Sequence, residues 1–361
     1  MKKNHGWLIT LLLVALLVSG CGQKTPQTDE AKKEQTGETL YIFNYGDYMD
    51  PELIKAFEAE TGITVKEDYF DTNEGMYPVV AGGQVKYDLV CASDYSIEKM
   101  IANDLLSELN YDNIPNSKYL DESCMKFMEA SDPGNKYAVP YLWGTVGILY
   151  NTTMIEEGSI TGWKDLWNPA YKDDGILMQD SLRDDFMIAA MQLGYSMNTT
   201  DEKELQDIVD LLLEQSPIVT AWENDAARDT LIAGGAAIGV IYSGEYLYCL
   251  DENPDLDFVI PEEGTNVWFD CWVIPKNAQN KEAAEKFIDF MNRPESAAAT
   301  FEYLTYPIPN TGGMELIDEE YRSNERIFPT EITLSKCDMY HYLGAEADEL
   351  YAKFWKQYRG N

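Results

Sequence analysis

Five short stretches of this chain carry an aromatic ring, a carboxylate or both: Tyr45-Gly-Asp47-Tyr48, Ser93-Asp94-Tyr95, Asp180-Ser181 with Asp184, Tyr242-Ser-Gly-Glu245 and Trp268-Phe-Asp270. Ring faces attract cations, each good contact contributing ~0.5–2 kcal/mol. Carboxylates supply the counter-charge that a buried ammonium requires. Together they suit a cation. Taken singly, each stretch has a plainer explanation. Tyr45 and Tyr48 could be half-buried core, and Ser181 with Asp184 reads as an imperfect capping box, Glu or Gln being the usual third member. Asp270 could sit in a turn, and Glu245 could be a first-turn acid favoured by the helix dipole. Those explanations account for one acid at one strand end, not for the same chemistry at five.

The elements that must position these residues alternate between strand and helix. Residues 40–44 read as a buried strand and 51–60 as a helix; 63–70 is a strand, followed by a helix that frays at Gly82-Gly83. YDLVCAS is a strand leading to a helix capped by Ser93 or Asp94. VGILYN is a further strand, and GILMQDSLRDDFMIAAMQLG passes from strand to helix at Asp180-Ser181. DEKELQDIVDLLLEQ has helical apolar spacing. AAIGVIYSGEYLYCL and the stretch from Val267 each give a strand and then a helix. This is an α/β pattern, and in an open α/β sheet ligands dock at the carboxyl ends of the strands.

The bulk of the sequence limits the classes available. The 361 residues are 45% hydrophobic, enough for two lobes. Lys2 and Lys3 precede an apolar run from Trp7 to Val18, short for a membrane span. The run ends in Val18-Ser19-Gly20-Cys21, the form of a bacterial lipobox. Residues 1–20 therefore read as a signal peptide, Cys21 as the lipidated residue and 21–37 as a flexible tether. The chain is expected to be exported and anchored to the outer face of the cytoplasmic membrane, or periplasmic. Cleavage removes two lysines and no acid, taking the formal charge from −36 to −38. Such a surface excludes nucleic acid as a partner and favours cations. Cys91, Cys124, Cys249, Cys271 and Cys337 lack metal spacing and read as small buried residues, an odd number that leaves at least one free thiol. His341 is the one histidine past the leader, so neither a histidine-based metal site nor a Ser-His-Asp enzyme is expected.

Residues 39 to about 355 resemble the spermidine/putrescine-binding proteins of bacterial polyamine ABC transporters. The matching stretches occur in order: NYGDYMDPELIKAFEAETGI, DTNEGMY, YDLVCASDYSIEKMI, YAVPYLWGTVGILYN, MQDSLRDDF, AAIGVIYSGE, VWFDCWVIPKNAQNKEAAEKFI and TYPIPN among them. The resemblance implies an α/β, two-lobed periplasmic-binding-protein fold of type II character with a ligand cleft between the lobes. Chain crossings near 144 and 268 would divide it into 38–144 with 269–314 and 145–268 with 315–361. It further implies a polyamine ligand, ABC permease subunits as partners, a monomer, and no cofactor, metal or catalysis. Carried over residue by residue, the ring set falls on Tyr45, Tyr48, Tyr95, Tyr242, Trp268 and Tyr306. The polar set falls on Asp47, Ser93, Asp180, Ser181, Arg183, Asp184 and Asp270, with Tyr340 where glutamine is frequent. Tyr45 and Tyr242 stand where tryptophan is common, Asp47 where glutamate is, and Ser181 where an aspartate is, with Asp180 beside it as a substitute. Three other readings compete: an exported enzyme using paired acids such as Asp180 and Asp184, a ferric-iron carrier using tyrosines, and a surface adhesin or structural lipoprotein.

Overall fold

The computed structural model describes residues 37–360 apart from Asp225. The signal peptide, Cys21 and all but the end of the tether lie outside the described residues. Among the described residues nine strands form the centre: β1 (Thr39–Tyr45), β2 (Thr64–Phe70), β3 (Leu89–Ser93), β4 (Ala138–Asn151), β5 (Ile176–Met178), β6 (Ala221–Trp222), β7 (Ile238–Tyr242), β8 (Leu256–Val259) and β9 (Val267–Val273). Their order is β2-β1-β3-β9-β4-β7-β5-β6, with β8 also on β4. β3 and β4 are buried at every position. This is why they read as unbroken apolar runs rather than alternating ones.

β4 is the member that ties the two ends together. Its first half, Ala138 to Thr145, lies antiparallel to β9, and from Val146 onward it pairs with β7 and β8. At 14 residues it is more than twice as long as VGILYN suggested, because the preceding AVPYLWG segment is equally apolar and continues the same strand. β1, β2 and β3 run parallel, as do β5, β6 and β7. Two groups of strand ends are therefore available to a site, one at Tyr45 and Ser93 and the other at Met178 and Tyr242.

Helices flank the strands, and side-chain caps open several of them. Asp50 caps Pro51–Thr61 by accepting from the Glu52 amide, and Gly62 ends it in the left-handed conformation. Asp201 caps Glu202–Gln215, and Leu205, Ile208, Val209 and Leu212 form its buried stripe. The helix Asp94–Ala102 departs from expectation: Ser93 occupies the cap position, but its side chain makes no capping bond. That hydroxyl is used elsewhere.

Candidate functional site

Asp270 explains where the Ser93 hydroxyl goes. Ser93 Oγ donates to Asp270 Oδ1 at 2.6 Å and Tyr48 Oη donates to Oδ2 at 2.8 Å. The sequence placed Trp268 and Asp270 at a strand end, whereas they lie in the first half of β9. They reach the carboxyl end of β3 because β9 runs antiparallel to it, with Ser93 opposite Asp270. Period two then sets Trp268 on the same face as Asp270.

A second acid repeats this arrangement from the other group of strand ends. Asp184, in the helix Leu182–Leu193 that follows β5, accepts Tyr242 Oη at 2.9 Å and Tyr340 Oη at 2.7 Å. Ser181 caps that helix, accepting from the Asp184 amide at 3.4 Å, but the Asp184 carboxylate does not return to complete a capping box. It is committed to the two phenols. Both acids are buried, Asp270 with 7% and Asp184 with 4% of their surface exposed.

Rings connect the two carboxylates without a break. Tyr45 meets Tyr48 at 5.3 Å between centroids, Tyr48 meets Tyr306 at 5.9 Å, Tyr306 meets Trp268 at 5.6 Å, and Trp268 meets Tyr242 at 6.0 Å. All four contacts are edge-on, with interplanar angles of 63–86°, the geometry that ring quadrupoles favour. Tyr48 touches Asp270 at one end of the series and Tyr242 touches Asp184 at the other.

Two glycines seat this series, and sequence reasoning passed over both. A Cβ on Gly144 would lie 2.6 Å from Trp268, and one on Gly244 would lie 2.0 Å from the Tyr306 ring. Rings rest directly on backbone at these points. The turns that present Tyr48 and Tyr306 are strained as well: Asp47 has φ 51° and Thr305 φ 62°. Positive φ is an outlier for a β-branched residue, and such strain persists only where packing enforces it. Thr305 is held by its hydroxyl on the Gly244 carbonyl.

Burial sets the electrostatics. It raises the Asp270 carboxyl to about 6, while the Ser93 and Tyr48 hydroxyls pull it down. Asp94 is raised further, to about 8, by burial beneath the site, although it accepts the amides of Phe269 and Tyr95. Desolvation first, then neighbouring acids, pushes the phenols of Tyr45, Tyr48, Tyr242 and Tyr340 well above the ordinary tyrosine range. They are therefore hydroxyl donors in the ligand-free chain. No group of three or more His, Cys, Asp or Glu with metal-binding geometry occurs among the described residues.

Other expected site residues are placed differently. Asp47 is exposed in its turn. Asp180 does not back up its neighbours: it is exposed, with its carboxylate on Arg359 at 3.1 Å. Arg183 lies over the Tyr340 ring at 4.4 Å and donates to the His341 carbonyl and Asn198 Oδ1, so it supports Tyr340. Tyr95 donates to Glu74 at 3.1 Å and meets Tyr340 at 6.3 Å. The five cysteines are all free thiols, four of them buried. A groove of about 330 Å³ lined by Tyr111, Glu122, Met125 and Asn135 shares no residue with the ring series.

Comparison with known proteins agrees with this geometry. Residues 52–329 match the family model described as bacterial extracellular solute-binding protein. A spermidine/putrescine-binding periplasmic protein of Salmonella typhimurium is 33% identical over 321 residues, covering 89% of this chain and 91% of its own length. A solved structure of a putative spermidine/putrescine ABC transporter protein from Listeria monocytogenes superposes with a TM-score of 0.83 at 40% identity, covering 89% of this chain and 99% of that one. The Streptococcus pneumoniae spermidine/putrescine substrate-binding protein gives 0.79 at 37% identity, over 90% and 99%. The chain belongs to the bacterial extracellular solute-binding proteins, whose two-lobed fold it shares, and within them it aligns with the spermidine/putrescine-binding members.

Proposed function

We propose that this protein is the extracytoplasmic substrate-binding component of an ABC importer, capturing a polyamine such as spermidine or putrescine and delivering it to a membrane permease. The observation that carries this is the ring series running from Asp270 to Asp184, each acid already holding two hydroxyls. A polyamine is a string of ammonium groups separated by methylenes. Each carboxylate meets one ammonium, and the edge-on rings wall the methylenes. A sugar would use the rings but leave two buried carboxylates without a cation.

The same reading includes opening and closing of the cleft. β4 and the start of β9 form the crossings, dividing the chain into 38–144 with 269–314 and 145–268 with 315–361. Cys21 carries the lipid that holds the monomer at the membrane, and the chain does no chemistry on its ligand. Calorimetry of the leader-free chain with putrescine, spermidine and spermine tests the reading, with one site per chain expected. No heat with any of the three refutes it. Cys21→Ser should release the chain from the membrane; retention there would mean an uncleaved anchor instead.

A further inference from the structure

Asn73 opens the helix Asn73–Gly82 that follows β2, and Thr72 rather than Asn73 caps that helix. The Asn73 side chain is buried, with 8% exposed, and makes three bonds toward the Asp270 end of the site. Its Oδ1 accepts the Ser93 backbone N–H at 3.2 Å. Its Nδ2 donates to Ser93 Oγ and to Tyr45 Oη, both at 2.9 Å. A backbone N–H can only donate, so Oδ1 must face it, and this fixes Nδ2 toward the two hydroxyls.

The direction then propagates. Ser93 Oγ receives the Asn73 amide, and the Tyr45 hydroxyl stands 3.1 Å away. The single Ser93 proton goes to Asp270 Oδ1. We propose that Asn73 is a positioning residue for cation capture: it orients the Ser93 hydroxyl as a donor, so that Asp270 is kept as the acceptor an ammonium needs. This rests on the polyamine reading. Without the amide, Ser93 Oγ is free to turn and accept a proton from a neutral Asp270, which favours the form that cannot bind a cation. The titratable groups facing Asp270 are Tyr45 at the end of β1, Tyr48 from the turn after it, Cys91 on β3, Asp94 below Asp270 and Cys271 beside it.

The test compares spermidine and putrescine binding from pH 5 to pH 8 in Asn73→Ala, Ser93→Ala and the double variant. We expect Asn73→Ala to weaken binding about fivefold at neutral pH, the size of one lost neutral hydrogen bond. The acid midpoint of the binding profile should also rise by about half a pH unit. The double variant should bind no worse than Ser93→Ala alone, because Asn73 acts through that hydroxyl. Additive losses with an unmoved midpoint overturn the inference and leave Asn73 a packing residue. Asn73→Asp keeps the volume and serves where the alanine variant fails to fold. Its added charge alone would tighten a cation, so weaker binding supports the inference and tighter binding overturns it. A wild-type chain that binds neither polyamine overturns the underlying reading instead.

Discussion

Acidification should release the ligand, and Asp270 sets where. Burial holds this carboxyl at about 6 in the ligand-free chain. An ammonium binds the ionised form, so the proton is a competitor: binding is intact above about pH 6 and weakens as the pH falls through that value. At pH 5 about one chain in eleven carries an ionised Asp270, so the dissociation constant should rise about tenfold over that at pH 7.5, or about 1.4 kcal/mol. The amines stay charged throughout, so the change belongs to the protein. Asp94 does not produce it, since a group at about 8 is mostly protonated already at the upper end of the range. Calorimetry at pH 5, 6 and 7.5 in two buffers of different ionisation enthalpy reads both quantities. Near pH 6 about half a proton should leave per ligand bound. Asp270→Asn should bind weakly and lose the pH dependence. A dissociation constant that stays within twofold from pH 7.5 to pH 5 in the wild type would show that Asp270 does not face the amine, and the charge assignment would fall with it.

Three further outcomes follow from particular contacts. Asp184→Asn should weaken binding by about tenfold, as much as Asp270→Asn, whereas Asp180→Asn should leave calorimetric affinity within about twofold, because Asp180 is turned to Arg359; Glu245→Gln, at the start of its helix, should cost less than either. Gly244→Ala should displace Tyr306 and weaken binding about tenfold, and combining it with Tyr306→Ala should add little, which a double-mutant cycle reads directly. The helix Asp94–Ala102 is joined to the C-terminal segment by Lys99 on Asp348 at 2.8 Å, and by Glu98 on His341 Nδ1 at 2.7 Å and the Tyr342 amide at 3.0 Å. If these bonds help close the cleft, Glu98→Ala should shift small-angle scattering of the ligand-bound chain toward a larger radius and weaken binding a few-fold, roughly 1 kcal/mol for such partly exposed contacts. An unchanged radius would count against that role.

What could be read in the sequence was what local chemistry controls. Strands with unbroken apolar runs, the helices at 51–60 and from Asp201 onward, and the repeated acids and rings were all visible before any geometry. So was the pairing of Trp268 with Asp270, since strand period alone puts them on one face. What stayed hidden depends on which partner a polar atom finds across the fold. Ser93 reads as a helix cap in any local window, and only the antiparallel placement of β9 brings Asp270 to take its proton. Asp180 and Asp184 look interchangeable four residues apart, yet one faces Arg359 and the other two phenols. Asn73 resembles any polar residue at a helix start. Gly144 and Gly244 look like ordinary turn or strand glycines until Trp268 and Tyr306 are seen resting on them. Some signal was present even so: a glycine inside the continuous apolar strand of β4 is costly unless something approaches the backbone closely there. That ring is Trp268, two residues from the acid on β9. A strand glycine that seems wasteful and an acid that seems too buried are thus two views of one arrangement, in which β9 carries a ring and a carboxylate on one face where it pairs with β4.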